Sequence, residues 1–141
     1  MTRLRHLARI AALASGVITA ASAGDIRIIA NASVTADTIS RDDLQRIFLR
    51  TMVSLRDGTP VVPVLQSSGS AHETVLRELL GKSDASLVTY YRTLVFTGRG
   101  FIPKTLDSNE AVAAFVAKTK GAIGYVSADT KTPGVKTLEV K

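Results

Sequence analysis

The chain has no cysteine and no tryptophan, and His72 is the one histidine outside its N-terminal stretch. Each absence closes off a class of function. Without cysteine there is no disulfide framework, so stability has to come from an ordinary apolar core. With neither cysteine nor a second nearby histidine, no set of metal ligands can be assembled around His72. Aromatic residues make up 5% of the 141. That is too few to interleave with lysine and arginine as a base-stacking surface, and the basic residues are scattered, so nucleic-acid binding is not expected. Nor is there an internal repeat, a low-complexity tract or a long linker.

What is present begins with a secretory pattern at residues 1–23. Arg3, Arg5, His6 and Arg9 form a basic start, residues 10–21 are mostly apolar and small, and Ala21-Ser22-Ala23 supplies a small-x-small cleavage site. The apolar run is shorter than the roughly 20 residues a membrane span needs, and no cysteine follows it to carry a lipid. The expected mature product is therefore residues 24–141, exported, periplasmic and without a membrane anchor. The full chain carries 18 basic and 12 acidic residues. Removal of Arg3, Arg5 and Arg9 leaves 15 basic against 12 acidic, a net charge of +3, so the mature protein is only mildly basic.

Strand and helix patterns then alternate. Residues 25–32, with Ile26, Ile28, Ile29 and Ala30, read as a strand buried on both faces. Ser40 can cap a helix whose first turn holds Asp42 and Asp43 and whose apolar stripe is Leu44, Ile47 and Phe48. Asp57-Gly58-Thr59-Pro60 is a turn. The apolar run 61–65 is a short strand, in which Pro63 favours an edge or a strand end. Ser70, Ala71, His72 and Glu73 fit a capping box opening a helix with Val75, Leu76, Leu79 and Leu80 that Gly81 closes. A helix from Ser83 carries Leu87, Tyr91, Leu94 and Val95 on one face. Another starts at residues 107–110, with Val112, Phe115 and Val116 inward, and ends at Gly121. Residues 122–127 and 135–140 complete about four strands with flanking helices, an α/β single domain with a mixed or parallel sheet.

The run 90–126 is the most specific part of the chain. It contains Tyr-Tyr-Arg-Thr-Leu-Val-Phe-Thr-Gly-Arg-Gly and, after a helix, Lys-Gly-Ala-Ile-Gly-Tyr-Val. Both stretches resemble the C-terminal part of the phosphate-type periplasmic solute-binding proteins, the receptors that feed ABC transporters. The segment from Ile47 to Gly58 resembles that family's "Ile-Phe-x-Gly-Lys…Trp-x-Asp-Gly", with Arg50 in place of the glycine and Leu55 in place of the tryptophan. The resemblance implies a single periplasmic-binding-protein-like (type 2) lobe, a short form of two-lobed receptors.

Ser68-Gly69-Ser70 sits between a strand and a helix, where backbone N–H groups and hydroxyls meet the positive helix start and can receive an oxyanion. It looks like the family's anion-ligating Ser-Gly-Thr turn, although the arginine that family places four residues earlier is Val64 here. A plain N-cap is the alternative reading of the same residues. Arg99, with Lys104 and Arg92, could line an anion site, or be ordinary solvated charge. His72 reads as a solvated or capping residue, since two residues from Ser70 it faces another direction and cannot form a dyad. Asp42, Asp43 and Asp57 read as helix-start and turn residues, and Tyr90, Tyr91 and Tyr125 as core packing. No enzyme, metal or cofactor is expected. The expected function is solute binding, with weak capture of phosphate or another oxyanion at Ser68, Gly69, Ser70 and Arg99. The alternative is a ligand-free interaction module of the same fold, docking on an ABC transporter component or a membrane sensor.

Overall fold

A computed structural model describes residues 25–141, so the expected leader at 1–23 lies outside the described residues. Six strands form one mixed sheet: β1 (Ile26–Asn31), β2 (Thr38–Ile39), β3 (Val62–Gln66), β4 (Lys104–Leu106), β5 (Ala122–Ser127) and β6 (Val135–Val140). Their spatial order is β2-β6-β1-β5-β3-β4. β1 runs antiparallel to both β5 and β6, while the β2–β6, β3–β4 and β3–β5 pairs are parallel. Four helices cover it: α1 (Arg41–Phe48), α2 (Ser70–Thr74), α3 (Asp84–Phe96) and α4 (Asn109–Lys118).

The period-2 geometry of a strand explains the layering. Ile28 and Ala30 of β1 point into a larger core with Leu44, Phe48, Val75, Leu87 and Tyr125. The intervening Ile29 points to the opposite face, against Val64, Val112, Val116 and Val126. Thus α1, α2 and α3 cover one face of the sheet and α4 the other. Burial of β1 on both sides follows the sequence expectation.

Serine caps set the helix starts. Ser40 accepts from the N–H of Asp43 at 3.0 Å, Ser83 from that of Ser86 at 3.1 Å and Ser108 from that of Ala111 at 3.0 Å. Each satisfies an N–H that the helix itself cannot. Tyr90 and Tyr91 each donate a hydroxyl, at 2.5 Å, to the carbonyls of Leu49 and Phe48 where α1 ends. They are therefore packing residues that also tie α3 to α1.

Several expectations are corrected. The capping box at Ser70 does not form: the N-cap is Gly69, no side chain caps α2, and Ser70 is the first helical residue. The helix continues beyond α2 as a π-helical segment, Val75–Leu80, which Gly81 ends at a left-handed φ of 60°. There are six strands rather than about four, because β2 and β4 are two and three residues long. Pro63 lies on an inner strand. It precedes Val64, where pairing with β4 begins, so its missing N–H costs no ladder bond on that side. On α3, Leu87 and Tyr91 are buried as expected, whereas Val95 is exposed.

Candidate functional site

Parallel strands β3, β4 and β5 bring their carboxyl ends to one edge of the sheet, the usual place for a ligand in open α/β folds. The chain leaves β3 at Gln66 and enters α2 through Ser67, Ser68 and Gly69. It leaves β4 at Leu106 and enters α4 through Ser108. The Ser67 N–H donates to Leu106 O at 2.9 Å and joins the two exits. Gln66 is buried and donates from Nε2 to Asn109 Oδ1 at 2.8 Å and to Tyr125 O at 2.9 Å. Asn109 Oδ1 also accepts from the Ser127 N–H at 2.9 Å, and Asn109 Nδ2 donates to Ser127 Oγ at 3.2 Å.

Above this fixed floor, Ser67, Ser68, Gly69 and Ser70 are all exposed. Gly69 takes a φ of 104°, a conformation nearly closed to other residues. The start of α4 is occupied by Ser108, but that of α2 is not occupied by any side chain. The first turn of α2 thus has no side-chain cap, and its partial positive charge lies at the exposed Gly69–Ser70 corner.

His72 is the main surprise. It is buried, with Nδ1 2.6 Å from Tyr125 Oη and Nε2 3.0 Å from Asp84 Oδ1. The expectation of a solvated or capping histidine is overturned, because Gly69 rather than Ser70 is the N-cap and the first turn carries His72 inward. The hydrogen-bond pattern assigns the tautomer. The Gln66 N–H donates to Tyr125 Oη at 2.9 Å. The tyrosine proton is then free for His72 Nδ1, and Nε2–H faces the Asp84 carboxylate. A neutral imidazole satisfies every member. Burial pushes the Tyr125 phenol above its usual range, which keeps it a donor. His72 and Asp84 also line a cleft of about 230 Å³ with Ser67, Leu65, Leu87 and Ile102.

The other sequence candidates fall elsewhere. Arg99 is exposed on the loop after α3, its N–H donating to Leu94 O at 2.8 Å. It lines a separate depression with Arg50, and no lining residue is shared with the Ser67 cleft. Lys104 Nζ lies 5.3 Å over the Phe115 ring, and Arg92 is exposed. Val64 is fully buried on the α4 side of β3. Asp43 forms a two-point ion pair with Arg56, at 2.9 and 3.1 Å. Asp57 accepts from Thr35 Oγ1 at 2.6 Å and from the Thr59 N–H at 2.9 Å. These carboxylates hold turns and helix starts, as their positions implied. Among the described residues no group of three or more His, Asp or Glu could hold a metal, and no helix is long and apolar enough to cross a membrane.

No protein-family model and no curated sequence matches the chain. Solved structures do. A protein from Clostridium perfringens, described as a phosphate ABC transporter substrate-binding protein with bound phosphate, superposes with a TM-score of 0.63 at 17% identity over 82% of this chain and 44% of its own. An ABC-type phosphate transport receptor from Vibrio cholerae gives 0.62 at 14% identity over 82% and 46%. PstS from Borrelia burgdorferi gives 0.64 at 14% identity over 83% and 47%. The chain therefore has the periplasmic-binding-protein fold of PstS-like proteins, and it spans less than half the length of these structures.

Proposed function

We propose that this chain is an exported, periplasmic, non-enzymatic solute-binding domain that takes phosphate or a related oxyanion weakly at Ser68, Gly69 and Ser70. The observation that carries the reading is the open, side-chain-free helix start at Gly69, set on the joined carboxyl ends of β3 and β4. Backbone N–H groups and serine hydroxyls at such a corner match the acceptor oxygens of an anion. The likeness to structures described as phosphate-binding supports the same reading. Affinity is low because the donors are neutral. Val64 stands where the resembled family has its arginine, Arg99 lines another depression, and Asp84 adds negative charge to the adjoining cleft.

Thermal unfolding of residues 24–141 with phosphate, sulfate, arsenate and small carboxylates, at fixed ionic strength, tests this. A ligand at a hundred times its Kd stabilises by about 2.7 kcal/mol. Phosphate raising the midpoint no further than matched chloride rules the reading out. Where phosphate does bind, Ser70→Ala weakens it.

A second reading, an interaction module docking on a transporter component or membrane sensor, is favoured by one observation. Phe96 and Phe101, 89% and 80% exposed, stand beside the exposed Val95 and Ile102. Isolated exposed apolar residues are ordinary, but two bare phenylalanines five residues apart, one ending α3 and one on the loop after it, are not. In that case Phe96→Ser with Phe101→Ser abolishes partner capture and leaves anion response unchanged.

A further inference from the structure

The last turns of α3, the loop after it and the segment following α1 line a second depression, of about 460 Å³, which includes Arg50, Arg99, Thr51, Thr93, Thr97 and Tyr90. Its chemistry differs from that of the serine turn. No carboxylate lines it, and residues 85–106 contain no Asp or Glu while carrying Arg92, Arg99 and Lys104. Among the described residues neither Arg50 nor Arg99 is paired with a carboxylate. Arg50 Nε is buried without a hydrogen-bond partner. Arg50 also holds the one positive φ among the described non-glycine residues, 64°. Two guanidiniums without a carboxylate partner line one depression, where an oxyanion would receive charge-assisted hydrogen bonds from both.

The hydroxyls narrow the ligand. Thr51 Oγ1 donates to Arg46 O at 3.3 Å, Thr93 Oγ1 to Thr89 O at 3.0 Å, Thr97 Oγ1 to Thr93 O at 2.7 Å, and Tyr90 Oη to Leu49 O. Each proton is already committed to a backbone carbonyl. What remains on these oxygens is lone pairs, which accept hydrogen bonds and do not give them. They suit the hydroxyl groups of a ligand rather than its anionic oxygens.

We infer that this depression is an anion site independent of the Ser68–Ser70 turn, and that it takes a phosphate ester carrying free hydroxyls. Arg50 and Arg99 bind the phosphate, and the threonine oxygens accept from the polyol. A glycerol phosphate has this chemistry, either as a soluble ester or as the headgroup of an anionic phospholipid, and the bare Phe96 and Phe101 beside Arg99 could rest on a lipid surface.

The test titrates the protein with glycerol 3-phosphate, following backbone amide NMR shifts. In parallel it measures sedimentation with phosphatidylglycerol vesicles against phosphatidylcholine vesicles. Saturable shifts are expected at Arg50, Thr51, Gly98, Arg99 and Gly100, unaltered by Ser70→Ala. Arg50→Gly removes one cation and relieves the left-handed backbone, so it keeps or raises the Tm while weakening binding about tenfold or more; Arg99→Gln weakens it to a similar degree. A response confined to the vesicles, and lost in both variants, supports the site with lipid as the source. No response in either arm, or a response that both variants retain, overturns it.

Discussion

Gly121 and Gly81 both have left-handed backbones, yet substitution should affect them very differently. A Cβ on Gly81 meets nothing within 4 Å, so Gly81→Ala loses only conformational ease at the helix end, about 1 kcal/mol. A Cβ on Gly121 would sit 2.4 Å from Pro60 O, in the turn where Val62 N–H donates to Gly121 O. Neither partner is a flexible side chain, so Gly121→Ala costs about 3 kcal/mol or more, resolvable by urea denaturation of the two variants side by side. Asp57 is a second residue-level case. The Thr35 hydroxyl and then the Thr59 N–H lower its pKa from 3.8 to about 2. A carboxyl depressed in the folded state contributes stability above pH 3.8, and loses it as pH falls through about 2. The group is exposed, so the contribution is small. Acid titration of the Tm should show a shallower decline between pH 4 and 2 in Asp57→Asn than in the parent.

At the scale of elements, the hydrogen-bonded chain from Gln66 through Tyr125 and His72 to Asp84 couples β3, β5, α2 and α3. Tyr125→Phe keeps the ring but strands the Gln66 N–H and His72 Nδ1 in the interior, at a cost of about 1–3 kcal/mol. Hydrogen exchange should then quicken across α2 and the start of α3 more than across α4, which does not share the chain. Equal quickening everywhere would show that the hydroxyl does not couple these elements. None of this was legible in the sequence, because the partners of His72 lie 12 and 53 residues away. Legibility followed local chemistry. The helix α1 could be read from Ser40 and the Leu44, Ile47, Phe48 stripe, and β1 from its unbroken apolar run. Strands of two and three residues leave no period to read, so β2 and β4 were missed. The strand–turn–helix placement of Ser68, Gly69 and Ser70 was visible because it is local. Its supporting Gln66 and Asn109 were not, since only the parallel pairing of β3 with β4 and β5 brings them together. Val95 was misplaced because helical spacing shows which residues share a face, but not where the neighbouring layer ends.

At the scale of the whole molecule, the two cores share one sheet. Ile28 and Ile29 are neighbours in sequence yet belong to opposite cores, and β3 and β5 likewise contribute to both. A sheet this thin cannot lose one face and keep the other: its strands would expose apolar side chains to water, and the covering helices would lose the surface that stabilises them. The chain should therefore unfold as one cooperative unit, although it covers only 44–47% of the structures it resembles. Ile29→Ala puts this to the test. It empties space in the smaller core against Val112 and Val116, at a cost of about 2–5 kcal/mol. The tyrosines that report fluorescence, Tyr90, Tyr91 and Tyr125, all lie in or against the larger core. In a single unit the urea midpoint seen by tyrosine fluorescence falls together with that seen by far-UV circular dichroism, with an unchanged slope. A fluorescence midpoint that stays in place while the dichroism midpoint falls would mean that the α4 face melts alone.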